Sequence, residues 1–319
     1  MTMQAIDLNI GQMTVDDPDD LLGDALAEFL TPPGVLRPET SLLRIRGADV
    51  ADTSPPDAQV SETDGMPLHF WRGPTARNLL IPGAAELVVE PGPRATLTLA
   101  PGCAHAARND LAMVALEEGI HASGQAVVHC AALRPEGRDG LVLIHAASGT
   151  GKTTTALALA GAGFALAADD AAVIGSDGSG AVSAWGLPRA VNLHRRTAGM
   201  LDWLRPALPD PWPGQDEVSV PQSRLPPPIR LERDRLPVLA LVELQRGDET
   251  CLRDMAPADA LTALISDNVR VTRSGLWPVQ QGRLDLLVSM VGKTSCHTLT
   301  VAPGTEGLAA AISAMTSAF

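Results

Sequence analysis

The fold prediction depends on residues 141–154, Leu141-Val-Leu-Ile-His-Ala-Ala-Ser-Gly-Thr-Gly-Lys-Thr-Thr154. Its second half matches the phosphate-loop pattern G-x-x-x-x-G-K-[ST] at residues 151–153, and Gly149 adds backbone freedom. Ala146 stands where the pattern has its first glycine, so the initial turn must form without a residue that freely adopts positive φ. The match predicts a loop that binds nucleotide phosphates.

Each residue type in this loop has a physical role. Glycines allow consecutive N–H groups to turn towards a phosphate, and the dipole of the following helix adds positive potential. We expect Lys152 to reach the outer phosphates of ATP and the Thr153 hydroxyl to ligate Mg²⁺. The predicted nucleotide-binding residues are Ser148, Gly149, Thr150, Gly151, Lys152, Thr153 and Thr154.

The flanking sequence supplies the elements that such a loop needs. Residues 141–144 form a short apolar run typical of a buried strand. Residues 153–160 are rich in alanine and leucine, and Gly161 and Gly163 follow as helix-stop signals. The flanks favour a strand–loop–helix unit over the alternative, which is a chance turn rich in glycine and threonine.

Two carboxylates follow one helix length after the loop. Residues 164–170 indicate a strand that ends in Asp169 and Asp170. Because side chains alternate along a strand, the two carboxylates are expected to point to opposite sides. One of them, Asp169, would hold Mg²⁺, and the other would accept a proton from an acceptor hydroxyl. The alternative interpretation is a solvated Asp-Asp turn.

His129 and Arg189 complete the predicted catalytic residues. Residues 126–133 are predicted to form a strand antiparallel to the one that enters the loop, which would bring His129 near the carboxylates. Arg189 follows a Gly-Leu-Pro turn and offers a guanidinium to a phosphate or to the acceptor. A structural histidine and a solvated arginine remain the alternatives.

Composition narrows the range of partners. The chain has 24 basic and 37 acidic residues and a formal net charge of −13, so a nucleic-acid partner is not expected. The four cysteines contain no C-x-x-C pair, which predicts neither a disulfide framework nor a zinc site and favours a cytoplasmic protein. The N-terminus lacks a signal-peptide pattern, and no segment predicts a membrane partner.

Changes in local composition along the 319 residues predict two regions of different structure. Residues 1–104 hold short apolar runs separated by Gly/Pro turns and predict a small, mostly β region. Residues 105–319 are assigned to an α/β catalytic domain that begins with a helix near residues 109–119. Residues 206–228 are proline-rich and predict a long loop or lid.

The order of these parts resembles the catalytic domain of HPr kinase/phosphorylase. The resemblance rests on a histidine before the loop, A-x-S-G-T-G-K-T, G-F-A-L-A-A-D-D and L-P-R-A-V-N-L, and it covers about residues 105–200. It implies a P-loop kinase core akin to phosphoenolpyruvate carboxykinase, which transfers the γ-phosphoryl group of ATP to a protein serine with Mg²⁺. It further implies that His129, Lys152, Thr153, Asp169 and Asp170 match the functional residues of the family.

Two departures from the family narrow the expected substrate. Thr154 stands where HPr kinases carry glutamate after the loop serine, and their glycine-rich signature is not found after Arg189. The chain is therefore more similar to HPr kinase-related proteins such as lasso-peptide precursor kinases, and we expect a peptide or small-protein acceptor other than HPr. A small-molecule kinase and a nucleotide-binding regulatory module without transfer stay open, as does the oligomeric state.

Overall fold

A computed structural model describes residues 4–27, 29, 38–63, 65–92, 94–176, 180–209, 216–269 and 278–319. The chain forms two compact units, Met1–Gly124 and Gln125–Phe319. The division follows residue 124 rather than the predicted residue 104, because the first helix packs on the N-terminal sheet. No helix in the described ranges is both long and apolar enough to cross a membrane.

The first unit is an eight-stranded sheet covered by helix α1 (His105–Ala122). Burial alternates along the strands at Glu39–Gly47 and Ala85–Glu90, as expected for a sheet with one covered face. The strands are β1 (Gln4–Asp7), β2 (Gln12–Asp16), β3 (Glu39–Gly47), β4 (Gln59–Thr63), β5 (Met66–Arg72), β6 (Arg77–Ile81), β7 (Ala85–Glu90) and β8 (Arg94–Leu99), in the spatial order 1-2-3-8-7-6-5-4. Leu111 and Leu116 of α1 are fully buried, and Glu118 pairs with Arg77 at 2.6 Å.

The second unit mixes strands and helices and contains all of the predicted site residues. Its strands are β9 (Gln125–His129), β10 (Ala131–Arg134), β11 (Leu141–His145), β12 (Ala165–Ala168), β13 (Ala171–Ser176), β14 (Val182–Gly186), β15 (Val191–His194), β16 (Glu217–Val220), β17 (Arg230–Leu231), β18 (Leu236–Arg246), β19 (Cys251–Asp254) and β20 (Ser295–Val301). Its helices are α2 (Lys152–Gly161), α3 (Arg195–Met200), α4 (Pro257–Asn268), α5 (Pro278–Val291) and α6 (Gly304–Ala318), with 3-10 turns at Asp202–Ala207 and Gln222–Arg224. The predicted mixed α/β class is confirmed.

Three strands of the main sheet run in the same direction and end at the same edge. β11 pairs parallel to β18, and β10 pairs antiparallel to both β11 and β12. β12 therefore also runs parallel to β11, and the spatial order is β12-β10-β11-β18. The carboxyl ends of β12, β11 and β18 consequently lie along the same edge, which is where open α/β sheets bind ligands.

Alternation along β11 builds a core on each face of this sheet. Val142 and Ile144 join a cluster that includes Leu157 of α2. Leu141 and Leu143 join a second cluster that includes Leu264 of α4 and Leu287 of α5. Burial on both faces explains why this strand reads as a continuous apolar run.

Three further sequence predictions need correction. The strand predicted at residues 164–170 ends at Ala168, so Asp169 and Asp170 lie in the bend that follows β12. The strand predicted at residues 126–133 is two strands that part at Cys130: β9 pairs with β13, whereas β10 pairs with β11 and β12. The proline-rich loop predicted at residues 206–228 contains β16, which pairs with β15 and buries Val220. Residues 210–215 of that loop lie outside the described residues.

A close backbone contact between β12 and β14 sets the position of the strand that precedes the two aspartates. A Cβ on Gly186 would overlap the carbonyl oxygen of Ala167. We therefore expect Gly186→Ala to lower the free energy of unfolding by about 1–3 kcal/mol, because the backbones would have to separate. Denaturant titration measures this change.

Gly199→Ala is the matched control, because Gly199 is exposed in α3 and a Cβ there meets no atom within 4 Å. It should leave stability unchanged or raise it by up to about 1 kcal/mol. Equal stability of both variants would contradict the proposed packing.

Candidate functional site

The predicted loop lies between a buried strand and a helix, as its flanking sequence indicates. β11 ends at His145, and α2 begins at Lys152. Gly149 and Gly151 have φ angles of 76° and 108°, which a residue with a Cβ rarely adopts. No side chain caps the start of α2, so its first N–H groups remain available to an anion.

The missing first glycine of the motif is accommodated by burial. Ala146 is fully buried in the cluster beneath α2. Among the described residues, positive φ outside glycine occurs only at Asn9, Asp20 and Leu26, so Ala146 needs no left-handed conformation. An alanine at this position is therefore compatible with the loop.

Lys152 and Asp170 form the centre of the site. The Lys152 side chain is 8% exposed, and its Nζ donates to Oδ1 of Asp170 at 2.5 Å. His129 Nδ1 lies 3.4 Å from the same oxygen, and Arg189 Nη1 lies 4.0 Å from the other oxygen of Asp170. The structure thus brings three of the residues singled out from the sequence around the carboxylate of a fourth, Asp170.

The two aspartates lie in different environments. Partial burial alone would raise the pKa of Asp170, but Lys152, His129 and Arg189 outweigh it and hold that pKa below its usual value. Asp169 is 3% exposed, and its burial, together with the charge of Asp170, raises its pKa to about 7. Asp170 is therefore ionised at neutral pH, whereas Asp169 is partly protonated.

His129 reaches the site by a different route from the predicted one. It lies at the end of β9 opposite Ala171 of β13, the residue directly after Asp170. Its backbone N–H donates to Oδ1 of Asn268 on α4 at 2.6 Å. Burial and the nearby Lys152 lower the pKa of His129, so its imidazole is neutral at pH 7 and can donate a hydrogen bond to Asp170.

The remaining loop residues differ in what their side chains face. Ser148 and Gly149 are exposed at the crest of the loop, and Thr150 and Thr153 are partly exposed. The Thr154 hydroxyl hydrogen-bonds with the Thr197 hydroxyl of α3 at 2.7 Å. Thr154 therefore offers its backbone N–H to a phosphate while its side chain joins α2 to α3.

Sequence reasoning missed a contact between a buried histidine next to the loop and an aspartate of α4. His145, which is 4% exposed, contacts Asp267 of α4 through Nε2 at 3.0 Å. Its other ring nitrogen has no hydrogen-bond partner among the described residues. Histidine at the last strand position was a visible signal, but Asp267 lies 122 residues away, and no local pattern connects the two.

The carboxylates present fit a magnesium ion only when phosphates complete its ligand set. The described residues contain no cluster of three or more histidine, cysteine or acidic side chains that could hold a metal by themselves. Mg²⁺ commonly binds one or two protein oxygens together with substrate phosphates and water. The Thr153 hydroxyl and the Asp169 carboxyl are the oxygen groups that would supply the protein's share of such a ligand set.

Comparison with known proteins assigns no family to this geometry. No protein-family model matches the chain. No curated protein matches it either. Functional inference therefore depends on the site itself.

The raised pKa of Asp169 predicts a specific pH dependence of stability. Between about pH 4 and 7 the folded chain retains a proton on Asp169 that the unfolded chain has lost, so stability falls as pH rises through this window. Asp169→Asn should remove the effect and be more stable than wild type above pH 7, by up to about 4 kcal/mol. Denaturant titrations at pH 4, 6 and 8 measure the difference.

The titration of Asp170 does not affect stability between pH 4 and 7. Its lowered pKa contributes stability that is present above the unfolded value and is lost only as pH falls below about 4. Asp139→Asn, an exposed change before β11, serves as the control and should show no pH-dependent difference. If the difference in free energy of unfolding between Asp169→Asn and wild type stayed constant from pH 4 to 8, the raised pKa of a buried Asp169 carboxyl would be contradicted.

Proposed function

We propose that this protein is an ATP-dependent kinase with a P-loop core of the HPr kinase/phosphoenolpyruvate carboxykinase type. Its acceptor is a serine hydroxyl of a peptide or small protein other than HPr. The observation that carries the proposal is the contact between Lys152, the first residue after a glycine loop, and Asp170, which lies two residues beyond the end of β12. A phosphate-binding cation and a carboxylate base are thereby adjacent.

The loop and the start of α2 supply the phosphate site. The N–H groups of residues 148–154 and the positive end of the α2 dipole favour an anion at the carboxyl edge of the sheet. Lys152 offsets the charge of the outer phosphates. Such positioning and electrostatic stabilisation provide most of the catalysis in phosphoryl transfer.

Lys152 has two anionic partners in this proposal, and the exchange between them activates the base. Without nucleotide, its ammonium pairs with Asp170 and lowers the pKa of that carboxyl. Nucleotide phosphates compete for the same ammonium, and any withdrawal of Lys152 raises the basicity of Asp170. Asp170 then becomes a better acceptor for the hydroxyl proton when ATP is bound.

The other side chains position the reactants. Neutral His129, whose Nδ1 lies 3.4 Å from one carboxylate oxygen of Asp170, is suited to orient that carboxylate. Arg189, which is partly exposed beside the second oxygen, is suited to bind the transferred phosphoryl group or an anionic part of the acceptor. Thr153 and Asp169 would hold Mg²⁺, which would offset phosphate charge.

The direct test is incubation of the purified chain with γ-labelled ATP and Mg²⁺, offered serine-containing peptides, HPr and a metabolite extract in parallel. Label on a peptide or protein serine is the expected result. Label on a small metabolite alone would retain the kinase and replace its acceptor. ATP binding without transfer to any acceptor would favour the regulatory module.

Lys152→Ala should abolish ATP binding and transfer, because the loop loses its phosphate-binding ammonium. The chain has only one other lysine, the exposed Lys293, whose Nζ contacts the Gly180 carbonyl. Lys293→Ala is therefore the matched control and should behave as wild type. Isothermal titration with ATP and the label-transfer assay measure both effects, and wild-type behaviour of Lys152→Ala would contradict the site.

Asp170→Asn should keep ATP bound while slowing transfer by about 10²–10⁴-fold, the usual contribution of a general base. Asparagine retains the size of the side chain but cannot accept the proton. Asp139→Asn, at the opposite end of β11, is the charge-matched control. A normal transfer rate in Asp170→Asn would exclude Asp170 as the base.

A further inference from the structure

The main sheet also brings Arg246 to the phosphate loop. Arg246 is the last residue of β18, which pairs parallel to β11, with Glu243 opposite His145. The chain therefore reaches Arg246 just beyond the strand end beside the loop. Nothing in the local sequence around Arg246 marks it as a ligand-binding residue, because its proximity to the loop depends on the pairing of distant strands.

The loop glycine and the guanidinium are in close contact. A Cβ on Gly151 would lie 2.5 Å from Nη2 and 3.3 Å from Cζ of Arg246. The φ angle of Gly151, 108°, disfavours a side chain there, and the absence of a Cβ leaves room for the guanidinium. The guanidinium therefore lies against the backbone of the residue that precedes Lys152.

We propose that Arg246 is a second phosphate-binding cation of the nucleotide site. This inference rests on the proposed ATP-dependent function and adds a residue to it. In the part of the chain that the structure describes, the exposed Arg246 guanidinium makes no hydrogen bond or ion pair. Lys152, by contrast, is already paired with Asp170. Arg246 is therefore the cation at the loop that needs to give up no partner when a phosphate binds.

The strand order assigns Arg246 a different role from that of Arg189. Asp169 and Asp170 follow β12, on one side of β11, whereas Arg246 ends β18, on the other side. Arg189 contacts the Asp170 carboxylate, but Arg246 contacts the loop backbone. Arg246 is consequently placed to bind nucleotide phosphates and not to orient the base. Its planar guanidinium can bind two phosphate oxygens at once.

Isothermal titration of the full chain with Mg²⁺ and ATP, ADP or AMP tests this inference. Arg246→Ala should weaken ATP binding by about 10- to 100-fold, the factor expected from the loss of a charge-assisted hydrogen bond. Arg246→Lys should recover part of this loss, because it keeps the charge without the planar fork. AMP, which has a single phosphate, should be affected least.

The control is Arg253→Ala, since Arg253 is an exposed arginine on β19, which β20 separates from β18. It removes the same charge from the same unit and should leave ATP affinity unchanged. Thermal melts should give wild-type Tm values for both variants, because both side chains are exposed.

The outcomes separate this inference from the proposed function. Wild-type ATP affinity in Arg246→Ala, together with loss of binding in Lys152→Ala, would overturn the role of Arg246 alone. If Arg246→Ala and Arg253→Ala weakened ATP binding equally, the effect would come from the loss of one positive charge anywhere on the unit, and this result would also overturn the role of Arg246. Failure of the wild-type chain to bind ATP would overturn both the inference and the proposed function.

Discussion

The buried ammonium group of Lys152 is the constraint on which the candidate site depends. A charge removed from water is destabilising unless an opposite charge lies in contact with it, and Asp170 provides that charge. The end of β12 must therefore be held against the start of α2. Two backbone features hold it there: the close approach of Gly186 to Ala167, and the pairing of His129 with Ala171.

The same sheet edge gives neighbouring residues opposite chemical character. Asp169 is buried and has a pKa near 7, whereas Asp170 faces Lys152, His129 and Arg189 and is ionised. Both residues lie in the bend that follows β12, but only Asp169 is buried. Asp169 therefore retains a proton near neutral pH, whereas Asp170 remains a carboxylate paired with cations. The proposed transfer of Lys152 from Asp170 to phosphate connects nucleotide binding to the strength of the base.

Local sequence was sufficient to predict the strand–loop–helix unit, because its apolar run, glycines and helix-forming residues are contiguous. The confirmed elements are β11 and α2, and His129, Lys152, Asp170 and Arg189 do lie together. Alternation along a strand does not account for the different environments of Asp169 and Asp170, because both lie in the bend after β12.

Features set by long-range pairing could not be predicted. The break at Cys130 arises because β9 and β10 pair with different strands, and a single apolar run conceals it. Asp267 and Arg246 reach the loop only through the packing of α4 and the register of β18. Helix α1 belongs to the first unit because its apolar face covers the first sheet, which its own sequence does not specify.

A crystal structure of the chain with a non-hydrolysable ATP analogue and Mg²⁺ tests the central claim most directly. We expect the phosphates to lie within the loop at residues 148–154 and the Lys152 ammonium to contact a phosphate oxygen instead of Asp170. Phosphates bound elsewhere, or an unchanged Lys152–Asp170 contact beside an occupied loop, would contradict the claim.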